Sequence, residues 1–179
     1  MNLFHLHKDP VTIAKYHCDK HVVKMVLETA QMLCSAYRKH FLFDDENEYH
    51  KLYKVAHPKH PMTLWVGQTF SNFRFTFDLL KALSDEYTFR YGKTHASYTI
   101  YELLRDKYVY WNELSGGFTE PPQCMPDAYK VPGCSITAYW NYYEQEKYTI
   151  AAKDEQIIFR PNEKKKIIQA YGRQRFLRN

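Results

Sequence analysis

Five residues near the N-terminus carry side chains that titrate, attack or hydrogen-bond: His17, His21, Lys24, Glu28 and Gln31. If their segment is one α-helix at about 100° per residue, they fall within about 40° of a single line, and Ser35 continues it. Met25, Met32 and Cys18 flank one edge of this line, Leu27 and Cys34 the other, and Val22, Val26, Ala30 and Leu33 fill the back. An ordinary surface helix shows an apolar stripe and a broad charged face, whereas this one shows a thin ionisable strip on an apolar cylinder. Such a strip either pairs internally, Lys24 with Glu28, or lines a cleft. In a cleft the chemistry is plain: a carboxylate moves protons, an amine attacks an electrophilic carbon, and imidazoles orient groups or shuttle protons.

His17 and His21, four apart, have the spacing of metal ligands that His57, His60 or His95 would complete. There is no His-Glu-x-x-His motif, and Glu28 is the lone carboxylate near the line, so the reading taken is no metal and no cofactor. A phosphate-cradling glycine loop, a Gly-x-Ser-x-Gly elbow and a Cys-x-x-Cys pair are also missing from the sequence. His57 and His60, each next to a proline, read as helix-entry residues.

The elements that must position this line are helical. Asp9-Pro10 reads as an N-cap followed by proline in the first turn, and no Gly or further Pro interrupts residues 10–40. A charged, irregular connection follows, with a short helix around residues 46–55. His57-Pro58-Lys59-His60-Pro61 forces extended backbone before a second long helix over residues 61–91. Val66, Phe70, Phe73, Phe77, Leu80, Ser84, Tyr87 and Tyr91 form its core stripe, and Gly92 ends it in a left-handed conformation. Gly67, inside that helix, allows close packing at a cost of about 1 kcal/mol relative to Ala. Further helices fit residues 97–114 and 135–152, with a last one ending near Tyr171. The Pro- and Gly-rich stretch 116–133 is a loop long enough to carry function or to move. The expectation is an all-α fold, a single compact domain of four to five helices, with residues 1–159 as its body and 160–179 as a basic C-terminal helix and tail.

Charge is unevenly placed. From Arg160 onward there are seven Lys or Arg and one acid, while the rest of the chain holds eighteen against nineteen. A basic tail on a near-neutral body suggests a polyanion, nucleic acid above all, although a solvated terminal helix has the same composition. Sixteen tyrosines add faces that stack and hydroxyls that hydrogen-bond. No apolar run approaches the roughly 20 residues that span a bilayer, and no signal-peptide core is present, so the expectation is a cytoplasmic protein without a membrane partner. The four cysteines are read as reduced thiols.

Asp19-Lys20-His21, followed by a helical run to Glu28, resembles the first helix of the phage pyrimidine-dimer DNA glycosylases of the endonuclease V type, in which an Asp-x-His triplet precedes the catalytic glutamate by the same interval. The segment from His60 through Trp65 to Arg90-Tyr91-Gly92-Lys93, His95 and Ser97 is similar to that family's second helix and its exit. Tyr139-Trp140-Asn141-Tyr142-Tyr143 loosely resembles its aromatic C-terminal region, and His17-Cys18-Asp19-Lys20-His21 is similar to a stretch in a branch of tailed-phage proteins. The useful match covers under half of the chain.

The resemblance implies an all-helical enzyme that removes a damaged base and then cuts the backbone. Its nucleophile is the N-terminal α-amine, which attacks the sugar C1′ with help from a glutamate. α-Amines titrate near 8 against about 10.4 for lysine, so more of the former is neutral and nucleophilic at neutral pH. Carried over, Glu28 is the glutamate, His21 its helical neighbour and Met1 the source of the amine. Met1 is followed by Asn2, after which methionine is usually retained, and Leu27 stands where the family has an arginine. Lys24, one turn from Glu28, is the internal substitute nucleophile.

The function expected is therefore a DNA-acting base-excision enzyme of the glycosylase/AP-lyase type, with Glu28, Lys24, His21 and Met1 in the chemistry and damaged or modified duplex DNA as partner. His17, Asp19, Gln31, Arg90, Lys93, His95, Tyr142 and Tyr143 would contact substrate, and Arg173, Arg175 and the lysines at 164–166 would hold phosphates. Two alternatives stand beside it: an enzyme that modifies a nucleotide or DNA base without cutting the strand, and a non-catalytic binder of nucleic acid or a host protein.

Overall fold

The computed structural model describes residues 1–40, 46–105, 107 and 115–147. Within them the chain is all-α: α1 (Pro10–Tyr16), α2 (Asp19–His40), α3 (Glu46–Lys51), α4 (Pro61–Val66), α5 (Phe70–Tyr91), α6 (Tyr98–Arg105) and α7 (Ser135–Tyr142), the last running into a π-helical turn, Tyr143–Lys147. The basic segment 160–179, with Arg173, Arg175 and the 164–166 lysines, lies outside the described residues, as do most of the second half of the expected 97–114 helix and residues 148–152. No described helix is long and apolar enough to cross a membrane.

The core is built on α5, which packs against both α1 and α2. Phe73, Leu79, Leu80 and Leu83 are fully buried along it, each large apolar side chain contributing about 1.5–3 kcal/mol. The expected stripe holds from Val66 to Tyr87 but not at its end, where Tyr91 is 39% exposed. Asn72, Thr76 and Glu86 are also buried, so the helix is enclosed over more than one stripe.

The caps follow the sequence. Asp9 accepts from the Val11 and Thr12 amides at the start of α1, and Gly92 closes α5 at φ 66°. Two expected long helices are each broken, which accounts for seven helices in place of four to five. The first breaks at His17, whose backbone is extended (φ −67°, ψ 135°). Its loose ends find distant partners: the Cys18 N–H donates to the Tyr143 hydroxyl (2.8 Å), and Arg90 Nη1 donates to the His17 carbonyl (2.8 Å). The second breaks between α4 and α5, where Thr69 caps α5 by accepting from the Asn72 amide. Gly67 sits in this break against α2: a Cβ there would lie 3.3 Å from Ala36 Cβ and 3.2 Å from His40 Nε2. The close packing expected of Gly67 is thus real, but it falls between two helices.

The His57–Pro61 stretch is a tight turn and not simply extended. His57 has φ 47°, the His60 N–H donates to the His57 carbonyl (3.0 Å), and only His60 itself enters α4 from extended geometry. The loop after residue 115 is pinned along its length. Asn72, fully buried, bonds the Thr119 amide through Oδ1 and the Thr119 hydroxyl through Nδ2; Trp65 Nε1 donates to the Thr119 carbonyl; and Gln123 bridges to Val131 through both ends of its amide.

Candidate functional site

The first residues pack against the molecule, half-buried at Met1 and Asn2 and buried from Leu3 to Leu6. Leu3, Phe4, His5 and Leu6 are buried, and this segment carries the N-terminus onto α2 beside Glu28. The Met1 α-amine lies 3.7 Å from Glu28 Oε2; the Met1 side chain is 3% exposed while the residue as a whole is half-buried, and the Glu28 side chain is 12% exposed. The next backbone N–H, that of Asn2, donates to the same Oε2 at 3.0 Å. The other carboxylate oxygen, Oε1, faces Lys24 Nζ at 3.2 Å, and Lys24 is 67% exposed. One carboxylate therefore holds two primary amines, one on the chain's first residue and one on an exposed lysine.

Asn2 anchors the first residues. Its Nδ2 donates to the Cys124 carbonyl (3.1 Å), and its Oδ1 accepts from the Leu3 amide (2.9 Å) and lies 2.7 Å from the Tyr139 hydroxyl. The Cys124 N–H reaches that same hydroxyl at 3.3 Å. The pinned 115–133 loop and Tyr139 of α7 thus hold Asn2, the residue that follows the amine.

His60 is the residue that sequence reasoning missed. It caps α4, its Nδ1 accepting from the Met62 N–H at 3.2 Å, which leaves the ring proton on Nε2. Burial first, then the positive N-terminus and His57, push its pKa below the ordinary histidine value, while Glu28 pulls it up. The imidazole is therefore within electrostatic reach of both the amine and the carboxylate. Its motif marked it as a helix entry, but nothing local indicated that the entry would face residue 1.

On α2, His21, Lys24, Glu28 and Gln31 keep their common line, with different surroundings from those expected. Val23 and Leu27 are 40% and 39% exposed, so the line runs along the edge of a solvent face rather than down an apolar cylinder. His21 points toward α7: its Nδ1 is 2.8 Å from the Tyr143 hydroxyl and its ring stacks on Phe4 (4.5 Å, 17° between planes). Burial lowers its pKa to about 3, with His17 and lysine charges adding to the effect.

His17 has left the helix and is completely buried. Its Nδ1–H donates to the Ile13 carbonyl (2.8 Å), its Nε2 has no partner, and burial lowers its pKa to about 4. Both histidines are thus neutral rings packed beside the site.

Arg90 is built into the fold rather than free for a phosphate. Its side chain is 5% exposed and donates to Glu86 Oε1 (2.8 Å), the His17 carbonyl (2.8 Å), Asp19 Oδ1 (2.9 Å) and the Lys15 carbonyl (3.3 Å). Asp19 is correspondingly part of the α1–α2 junction. His95 receives the Ser97 N–H on Nδ1 and lies edge-on to Tyr87, while Lys93 is exposed. Tyr143 is 1% exposed and holds the Cys18 amide; Tyr142 is half-buried, with Lys147 Nζ 4.7 Å above its ring. Two turns beyond Glu28 on the same face of α2, Ser35 opens onto a cavity of about 220 Å³ shared with Lys39, Val55, Thr63 and Gly67. Among the described residues no group of three or more His, Cys, Asp or Glu is placed to hold a metal.

Chemically, the arrangement offers a primary amine, a carboxylate placed to exchange protons with it, and an imidazole within electrostatic reach of both. Comparison with family models, with curated proteins and with solved structures returned no match.

Proposed function

We propose that this chain is a DNA-acting base-excision enzyme of the glycosylase/AP-lyase type, with the Met1 α-amine as nucleophile and Glu28 as its proton-transfer partner. The observation that carries the reading is the 3.7 Å pairing of the Met1 amine with Glu28 Oε2, brought about across 27 residues of chain by a buried N-terminal segment. Lys24 Nζ lies 3.2 Å from the other carboxylate oxygen and shares the charge of Glu28.

The steps balance without a cofactor. The neutral amine attacks C1′ of the nucleotide; the C1′–base bond breaks, and the base leaves with the electron pair and takes a proton. Opening of the sugar's C1′–O4′ bond, with protonation of O4′ by the carboxyl of Glu28, leaves a protonated imine between the chain and the sugar. The resulting carboxylate removes a C2′ proton, the C3′–O bond breaks, and the 3′ phosphate departs. Water then hydrolyses the imine and returns the amine. Lys24, exposed beside the pair, supplies positive charge for the backbone.

The test is borohydride trapping on duplex DNA containing an abasic site or ultraviolet lesions. A covalent protein–DNA adduct is expected with the wild-type chain and its loss with Glu28→Gln; no adduct on either DNA refutes the reading. A second reading, a binder whose terminus is merely pinned, is favoured by the burial of the Met1 side chain, which is 3% exposed. Under it, Glu28→Gln changes stability and leaves DNA or partner binding intact.

A further inference from the structure

Phe4 has φ 43°, a left-handed backbone conformation that a bulky residue adopts only when its surroundings impose it, at a cost of about 1–3 kcal/mol. It stands three residues from the α-amine. Asn2 Oδ1 accepts from the Leu3 and Phe4 amides (2.9 and 3.4 Å), which forms an Asx turn there.

The ring of Phe4 is what the surroundings grip. It is 5% exposed, lies flat on His21 at 4.5 Å, and meets the edges of Tyr143 (5.4 Å) and Tyr139 (6.0 Å). His21 is fixed in turn by the Tyr143 hydroxyl, which also accepts the Cys18 N–H. Downstream of Phe4, Trp140 Nε1 donates to the Leu6 carbonyl at 2.8 Å. The strained turn is therefore clamped from α2 and from α7, and the first three residues project from it onto Glu28.

We propose that Phe4, stacked on His21, is a positioning residue that holds the residue-1 amine against Glu28. The inference rests on the amine–carboxylate site described above, and it assigns His21 a role through Phe4, not a share in proton transfer.

The experiment needs no DNA, so its failure is separable from failure of the base-excision reading. The protein is reductively methylated with formaldehyde and cyanoborohydride, and the rates at residue 1 and Lys24 are read by peptide mass spectrometry. Cys34, fully buried and with its thiol raised to about 12 by burial, reports global opening through iodoacetamide labelling. With His21→Ala, residue 1 should label about tenfold faster, a shift of about 1.4 kcal/mol in local opening, while Lys24 and Cys34 keep their wild-type rates. His21→Phe, which preserves a flat stacking face, should restore slow labelling. Tyr143→Phe, the mildest change, should fall between. The proposal is overturned if residue 1 labels at the wild-type rate in His21→Ala, if it accelerates only together with Cys34, or if His21→Phe labels as fast as His21→Ala.

Discussion

Glu28 Oε2 takes the Asn2 N–H at 3.0 Å and faces the Met1 amine at 3.7 Å, so residue 28 serves both the backbone and the charge of the chain's first two residues. Glu28→Gln keeps the shape and an oxygen for the Asn2 amide but removes the charge and the transferable proton. Adduct formation on abasic DNA should fall by about a hundredfold or more, the usual reach of positioned acid–base catalysis. Because the ammonium of residue 1 loses its charged partner, stability should also fall, by about 1–3 kcal/mol in urea unfolding.

Lys24 shares the carboxylate from the exposed side. Exposed i,i+4 pairs contribute about 0.3–0.5 kcal/mol, so Lys24→Ala should leave the unfolding midpoint nearly unchanged. If the α-amine is the nucleophile, trapping persists in Lys24→Ala within about threefold, well short of the hundredfold class of effect. Complete loss of trapping in that variant would assign the chemistry to Lys24.

His60→Asn separates the imidazole's cap from its place beside the amine. Asn is among the strongest N-cap residues, so the start of α4 should be retained and stability should change by no more than about 0.5 kcal/mol. The trapping rate should nevertheless drop by about tenfold as the donor near the pair is lost. An unchanged rate would leave His60 with the cap alone.

Arg90 closes the α1–α2 junction, and Glu86 beneath it is 4% exposed at its side chain. Arg90→Ala takes the guanidinium away from the buried Glu86 carboxylate, from Asp19 and from two backbone carbonyls, for which the expected cost is about 3–5 kcal/mol, visible as a large fall in the urea midpoint. A near-neutral Arg90→Ala with weakened DNA binding would return this residue to the phosphate-contacting role its motif suggested.

Acid should unfold the protein through its enclosed imidazoles. Burial holds His5 and His17 at about 4 and His21 at about 3, against about 6.5 in an unfolded chain. Above pH 6.5 neither state binds these protons, and the three groups leave stability unchanged. Below it the unfolded chain takes them up first, so stability falls by up to about 1.4 kcal/mol per pH unit per imidazole until the native pKa values are passed. Urea midpoints measured between pH 7.5 and pH 4 should decline from about pH 6.5 downward; a flat profile across that window contradicts buried, neutral rings.

What the sequence disclosed about this site was local, and what it withheld was remote. Asp9, Pro10 and Gly92 mark helix ends by chemistry confined to one turn, and all three act where expected. The line His21–Lys24–Glu28–Gln31 was readable for the same reason. The break at His17 was not: a continuous helix satisfies the backbone just as well in isolation, and here Arg90 and Tyr143, 73 and 125 residues away from their junction partners, take up the freed groups. The same holds for His60 and Cys124, whose proximity to residue 1 comes from the packing of α4 and the pinned loop. The resemblance in the first helix singled out Glu28 without placing an amine beside it; the buried path of residues 3–6 places it there.

The most direct test of the central claim is to map the borohydride-trapped adduct. The protein is reacted with abasic duplex DNA, reduced and digested, and the modified residue is read by tandem mass spectrometry. The adduct is predicted on the α-amine of the N-terminal peptide, disappearing when that amine is methylated beforehand. An adduct confined to another residue, or none at all with folded wild-type protein, would contradict the account.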